Sequence, residues 1–100
     1  MSKIPKDLQP ILWSIDVAKL NIERDRVYII HQVLSYGRME HILWLFKTYP
    51  RIEIVKVFLD SPYKDYRGSR FQFVKNYLLN IDKPIEVRRY VKNTPRILGS

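Results

Sequence analysis

The residues able to do acid, base or nucleophilic chemistry are few in this sequence and are not grouped. There is no cysteine, and the only two histidines, His31 and His41, stand in predicted helices without a cluster of further ligands. Thiol nucleophiles, disulfides and cysteine-based zinc sites are therefore excluded. No serine lies in a G-x-S-x-G setting, and the three glycines form no phosphate-binding loop. We predict no enzymatic activity, no metal site and no cofactor.

Binding of anions is the chemistry that the composition does favour. The formal net charge is +8, and residues 83–100 carry half of it, with five Lys or Arg against one Glu. Such an excess favours a polyanion or an acidic protein surface as partner. Three uses of this segment stay open: contact with RNA or DNA, docking across an acidic cleft, and a solvated tail without a partner.

Aromatic residues add a second indication of binding. Trp44 and Phe73 lie off the predicted inner faces of their helices, and aromatic and arginine side chains are enriched at protein interfaces. The predicted partner-binding residues are Trp44, Arg70, Phe73, Lys83, Arg88, Arg89, Tyr90, Lys92 and Arg96. The alternative, a helix that reads nucleic acid, would use Arg67, Arg70, Gln72, Lys75 and Asn76.

The helices that position these residues are predicted from the spacing of apolar residues and from the residues that cap or break helices. Residues 1–9 are predicted as an extended arm, followed by a helical turn near residues 11–14. Asn21 is the predicted N-cap of the first main helix, and Gly37 is predicted to close it in the left-handed conformation. The second helix follows at once, over residues 38–49, with Met39, Ile42, Leu43, Phe46 and Tyr49 on its inner face.

Two more helices are predicted beyond Pro50. The first has Ile52, Val55, Phe58 and Leu59 facing inward, and its strand alternative is disfavoured because an isolated strand would have no partner. After a polar loop, Ser69 can cap a helix over residues 70–79 that ends at Asn80. The inner face of this last helix is predicted to be Phe71, Val74, Tyr77 and Leu78. Residues 85–91 are predicted to form one or two turns.

The expected fold is therefore all-α, a small bundle of four main helices with a short helical turn at the N-terminus and a basic C-terminal extension. We predict one helical domain over residues 1–80 and a basic tail over residues 81–100. One hundred residues with 46% apolar side chains suffice for one core. No apolar run is long enough to span a bilayer and no signal sequence is evident, so we expect a cytoplasmic protein. The sequence does not fix its oligomeric state.

One motif is tight enough to suggest a family. Trp13, Asp16 and Leu20 lead into the helix that ends at Gly37, and a helix containing Trp44 follows. The simplest account of this motif is structural, with the indole covering the open end of the bundle and Asp16 capping the next turn. In order and spacing, these elements resemble a bacterial and archaeal family of short helical proteins catalogued as a domain of unknown function, over residues 8–80.

The resemblance implies a function. Members of that family are often encoded beside abortive-infection-type nucleotidyltransferase toxins, so the chain is expected to be an antitoxin or a small adaptor of such a toxin. The first hypothesis is a non-enzymatic protein-binding module that binds and blocks the toxin. The alternative is a nucleic-acid-binding transcriptional regulator with a helical reader and a basic tail.

Overall fold

The computed structural model describes residues 4–63, 66–81, 85 and 87–91. Its main helices are α1 (Arg26–Tyr36), α2 (Met39–Thr48), α3 (Arg51–Asp60) and α4 (Gly68–Phe73). A π-helical turn, Val74–Leu78, continues α4, and 3-10 turns lie at Lys6–Leu8, Val17–Lys19 and Val87–Arg89. These ranges contain an isolated parallel bridge between Tyr66 and Val91 but no strand. The predicted all-α class with four main helices is confirmed.

The chain divides into two units, Met1–Ser61 and Pro62–Ser100. The first holds α1, α2 and α3, and the second holds α4 and the π turn. The predicted organisation, with one helical domain over residues 1–80 and a tail over residues 81–100, is a different division of the chain and stays a prediction. No helix in the described part of the chain is both long and apolar enough to cross a lipid bilayer.

Helix α1 forms the centre of the first unit, where it contacts both α2 and α3. The adjacent pairs Ile29–Ile30 and Val33–Leu34 are fully buried, as their helical spacing predicts. Leu8 and Leu12, which precede the main helices, are also fully buried. Within residues 4–12 the chain therefore contributes to the core of this unit, and its 3-10 turn Lys6–Leu8 replaces the predicted extended arm.

The entry into α1 differs from the prediction. Asn21 Oδ1 accepts hydrogen bonds from the backbone N–H groups of Glu23 and Arg24, and Asp25 Oδ2 accepts one from the Asn21 N–H at 2.9 Å. Asn21 thus caps a separate turn, and α1 itself begins at Arg26. Hydrogen bonds from the Arg24 side chain and from the Asn21 N–H hold the pKa of the Asp25 carboxyl below its ordinary value.

Gly37 ends α1 for a different reason from the one predicted. Its φ of −73° and ψ of 157° are extended, so the predicted left-handed closure is wrong. The constraint is space: a Cβ at this position would lie 2.7 Å from the Val33 carbonyl oxygen and 3.1 Å from His41 Cβ. Glycine lets the chain turn directly into α2 while its N–H donates to the Val33 oxygen at 2.8 Å.

The inner faces of α2 and α3 are rotated from the predicted ones. His41, Ile42 and Leu45 are the buried residues of α2, whereas the predicted inward residues Met39 and Leu43 are each 56% exposed. In α3, Ile54 and Val57 are buried together with Phe58, which was predicted to face inward, whereas the predicted Ile52 is exposed. Each of the two helices carries more than one apolar stripe, so helical periodicity alone does not determine which stripe is buried. Packing against α1 determines it.

The π turn displaces the inner face of the fourth helix. The Leu79 N–H donates to the Val74 oxygen, five residues back, instead of to the residue four back. Tyr77, which was predicted to face inward, is consequently 78% exposed, and Leu79 is buried in its place. Asn80 ends the helix, as predicted, with a left-handed φ of 52°. The helix begins at Gly68 without a side-chain cap, so the predicted capping by Ser69 is wrong.

The core of the second unit contains three aromatic rings, of Tyr66, Phe71 and Tyr90, each no more than 2% exposed. The Phe71 and Tyr90 centroids are 5.1 Å apart, and Tyr66 lies edge-on to both rings. The Tyr66 N–H donates to the Tyr90 oxygen at 2.8 Å. The exposed 3-10 turn Val87–Arg89 leads into Tyr90, in agreement with the one or two turns predicted within residues 85–91.

The side chain of Gln9 forms hydrogen bonds with three backbone groups on either side of the motif residue Asp16. Its Nε2 donates to the carbonyl oxygens of Leu12 and Ile15, each at 3.0 Å, and its Oε1 accepts from the Val17 N–H at 3.0 Å. The amide therefore supplies partners to three backbone groups that no helix or sheet ladder satisfies. Nothing in the sequence distinguishes this glutamine, because its role depends on how the loop closes around it.

Replacement of Gln9 by alanine is expected to destabilise the chain by about 1 kcal/mol, because a net hydrogen bond is worth about that amount and water can replace part of the set. Urea unfolding monitored by circular dichroism measures the change. The matched control is Gln72→Ala on α4, where the exposed side chain accepts one bond, from Asn76 Nδ2 at 3.2 Å. Equal effects of the two substitutions would contradict the role of Gln9.

Candidate partner-binding surfaces

An apolar stripe runs along the outward side of α2. Met39 and Leu43, one helical turn apart, are each 56% exposed, and Phe46, nearly one turn farther on, is half-buried. This α2 stripe (Met39, Leu43 and Phe46) exists because His41, Ile42 and Leu45 occupy the buried side. Exposed apolar residues are ordinary when single, but a row on one helix face is the kind of surface that a partner covers.

The predicted anchor Trp44 follows Leu43 in the chain and is half-buried. Its carbonyl oxygen accepts a hydrogen bond from Thr48 Oγ1 at 2.8 Å, within the last turn of α2. Trp44 thus borders the α2 stripe without being its most exposed member. Met39 and Leu43 are the more exposed apolar residues of α2, and the role of Trp44 as a partner anchor stays a prediction.

The motif residues lie where a structural role requires them. Asp16 Oδ1 accepts a hydrogen bond from the Ala18 N–H at 3.0 Å and so caps the 3-10 turn Val17–Lys19. The Trp13 ring packs edge-on against Tyr36 at the end of α1, with 4.9 Å between centroids, yet 56% of Trp13 is exposed. Leu20 ends the capped turn. Trp13 therefore covers part of the end of α1 and still presents a large apolar surface.

The two histidines are held by backbone groups. His31 is fully buried, and its Nε2 donates to the Ser61 carbonyl oxygen at 2.7 Å. Burial lowers the pKa of His31 to about 4, although hydrogen bonds to the Ser61 and Val57 backbone oppose this shift. His41 Nδ1 accepts from the Arg38 N–H at 3.0 Å, which leaves the proton on Nε2, 3.6 Å from Asp7 Oδ2. Each ring thus ties a helix end to another segment.

A groove of about 470 Å³ lies between α1 and α3, with Val27, Ile52 and Val57 among its lining residues. An ion pair between Arg26 Nε and Glu53 Oε2, at 3.1 Å, stands at its edge. A smaller concavity of about 190 Å³ adjoins Tyr49, whose hydroxyl donates to the Ile22 oxygen at 2.6 Å. Burial raises the pKa of that hydroxyl. Within the described ranges, no three His, Asp or Glu side chains are grouped as metal ligands.

The fourth helix carries the residues of the alternative prediction. Arg67, Gln72 and Asn76 are exposed, while Arg70 and Lys75 are half-buried. Burial lowers the pKa of the Arg70 guanidinium, although the group stays charged at neutral pH. The side chains of Gln72, Lys75 and Asn76 form a short hydrogen-bonded chain on the surface.

The predicted C-terminal residues divide into three groups. Arg88 and Arg89 are exposed on the 3-10 turn Val87–Arg89. Tyr90 is 2% exposed and packs in the core of the second unit, so its ring does not belong to a partner surface. Lys83, Lys92 and Arg96 lie outside the described residues.

Comparison with known proteins places part of the chain in a family. No curated protein and no solved structure matches it. A family model matches residues 8–58, a segment that contains Gln9, the motif residues, α1, α2 and most of α3. Of the resemblance predicted over residues 8–80, a match to a family of unknown function is shown, over residues 8–58. The chain belongs to the family described as a family of unknown function, DUF6922.

Proposed function

We propose that this chain is a non-enzymatic protein-binding module of the antitoxin type, which binds and blocks a cognate nucleotidyltransferase toxin. The observation that carries the protein-binding part is the α2 stripe, with Met39 and Leu43 each 56% exposed one turn apart. The stripe lies inside the residues 8–58 that match the family, so the surface belongs to the family's own segment. The class of partner comes from the resemblance of the motif to proteins encoded beside such toxins.

Charge supports the same partner. The chain has a formal net charge of +8, and Arg88 and Arg89 are exposed in the described part of its C-terminal segment. A nucleotidyltransferase holds its catalytic metal ions with carboxylates, so the rim of its active site attracts a basic protein. Apolar contact through the α2 stripe would supply affinity, the cations would accelerate association, and the bound chain would cover the site that the substrate must enter.

The test is co-expression with the nucleotidyltransferase encoded by the adjacent gene, followed by affinity purification and measurement of Kd. Leu43→Glu is expected to raise Kd at least tenfold, because it places a carboxylate in an apolar contact. The control is Ile15→Glu, where the wild-type side chain is 39% exposed and lies outside both the stripe and the groove. Ile15→Glu should bind as the wild type does.

Two results would contradict the proposal. The first is a complex that forms with the same Kd in the wild type and in Leu43→Glu. The second is a wild-type homodimer that Leu43→Glu dissociates, because the stripe would then be covered by a second copy of the chain. Light scattering of the isolated protein measures its solution mass and separates this case from binding to the toxin.

A further inference from the structure

An aromatic pair is exposed on the fourth helix. The rings of Phe73 and Tyr77, four residues apart, have centroids 6.1 Å apart and planes inclined by 32°. Phe73 is the half-buried ring of the pair, and Tyr77 is 78% exposed. The π turn causes this exposure, because its wider winding turns Tyr77 away from the core and brings Leu79 into the core instead. The result is a short stack whose outer ring faces solvent.

The surroundings of this stack are cationic and rich in amides. Between Tyr66 and Ile81 the chain has Arg67, Arg70 and Lys75 but no Asp or Glu. Arg70 lies one turn before Phe73, on the same side of the helix. Gln72 and Asn76 are exposed beside the aromatic pair, joined by a hydrogen bond of 3.2 Å. Cations attract phosphates, and amides can donate to or accept from base edges.

These features together select one class of ligand. An acidic peptide would pair with the cations, but its carboxylates would make no contact with a solvent-facing ring. In duplex DNA the faces of the bases are buried by stacking on one another. Unpaired bases offer exposed π-faces, and base-on-aromatic stacking contributes about 1–3 kcal/mol per base. We propose that the α4 stacking face, formed by Arg70, Gln72, Phe73, Asn76 and Tyr77, binds single-stranded nucleic acid with a base stacked on Tyr77.

This surface is distinct from the α2 stripe and does not depend on the proposed toxin partner. It also differs from a helix that reads a duplex groove, since the ring makes the main contact and stacking tolerates any base. The binding is therefore expected to be insensitive to sequence. RNA and DNA single strands should both bind, because the π-face of a base is common to them.

The experiment is fluorescence anisotropy of the full chain with labelled oligo(U) and oligo(dT) of about twelve nucleotides, a length within the usual site sizes. Tyr77→Ala is expected to raise Kd about tenfold, and Tyr77→Phe, which keeps the ring, should stay within about twofold of the wild type. A duplex of the same length should bind at least tenfold more weakly. Added salt should weaken the binding because phosphates are contacted.

Three outcomes would overturn the proposal: no binding to either oligonucleotide at low salt, an unchanged Kd for Tyr77→Ala, or equal affinity for the duplex. Competition by poly-glutamate as effective as that by oligo(U) would also overturn it, since the face would then bind anions of any kind. Thermal melting of both Tyr77 variants checks the fold. The side chain is 78% exposed, so the melting temperatures should remain near that of the wild type.

Discussion

Gly37→Ala is expected to lower the free energy of unfolding by about 3 kcal/mol, the upper end of the usual cost of overpacking. The added Cβ would lie 2.7 Å from the Val33 carbonyl oxygen, a backbone atom that cannot rotate away. Relief requires residue 37 to move away from the last turn of α1, which strains the bond from its own N–H to the same oxygen, and His41 Cβ at 3.1 Å leaves little space on the side of α2. Urea unfolding should show a lower midpoint, and the melting temperature should fall by more than about 10 °C.

The matched control is Gly68→Ala at the first residue of α4. A Cβ there meets no atom within 4 Å. Alanine restricts the unfolded chain and favours the helix, so this substitution is expected to stabilise the protein by about 0.5–1 kcal/mol. The two glycine substitutions should therefore have opposite signs. A neutral or stabilising Gly37→Ala would show that the two helices are not held together as closely as the structure indicates.

The sequence predicted which segments are helical, because the type of an element depends on the local spacing of apolar residues and on the residues that end helices. Pro50 and Gly37 separate the first three helices, and Asn80 ends the last one. The buried face of each helix was harder to predict. Ile52 and Leu43 belong to apolar stripes that satisfy a helical period as well as the buried ones do. Only the packing of the neighbouring helices selects between such stripes.

Some features of the candidate surfaces left no signal in the sequence. The exposure of Tyr77 accompanies the π-helical winding of Val74–Leu78, which no residue pattern in that segment predicts. Tyr90 shows the opposite case: it lies among basic residues in the chain and was predicted to bind a partner, but its ring packs against Phe71. The composition of a short basic segment describes its charge, whereas ring burial depends on contacts distant in sequence.

His31 couples the stability of the first unit to pH. The ring is fully buried, its Nε2 donates to the Ser61 oxygen at 2.7 Å, and its plane lies near the Phe58 ring. Protonation in the folded state would place a positive charge among apolar side chains, which is why burial lowers the pKa to about 4 from 6.5. The unfolded chain has no such restriction and binds a proton near pH 6.5.

The direction of the effect follows from which state binds the proton first. Between pH 6.5 and about 4 the unfolded chain holds a proton on His31 that the folded chain does not, so the free energy of unfolding decreases as the pH falls. The loss is expected to be about 2 kcal/mol between pH 7 and pH 5, where few carboxylates titrate, and about 3 kcal/mol over the whole window. Below the folded pKa this group causes no further loss.

His31→Gln separates this cause from other titrations. Glutamine keeps an N–H that can donate to the Ser61 oxygen but has no titrating group, so the variant should be less stable at pH 7 and lose little more at pH 5. Urea unfolding of both proteins at the two pH values measures the difference, and the wild type alone should show the decrease of about 2 kcal/mol. Parallel decreases in the two proteins would assign the pH dependence to other groups. Because His31 links α1 to the end of α3 through the Ser61 carbonyl, a decrease confined to the wild type would also show that this link persists in solution.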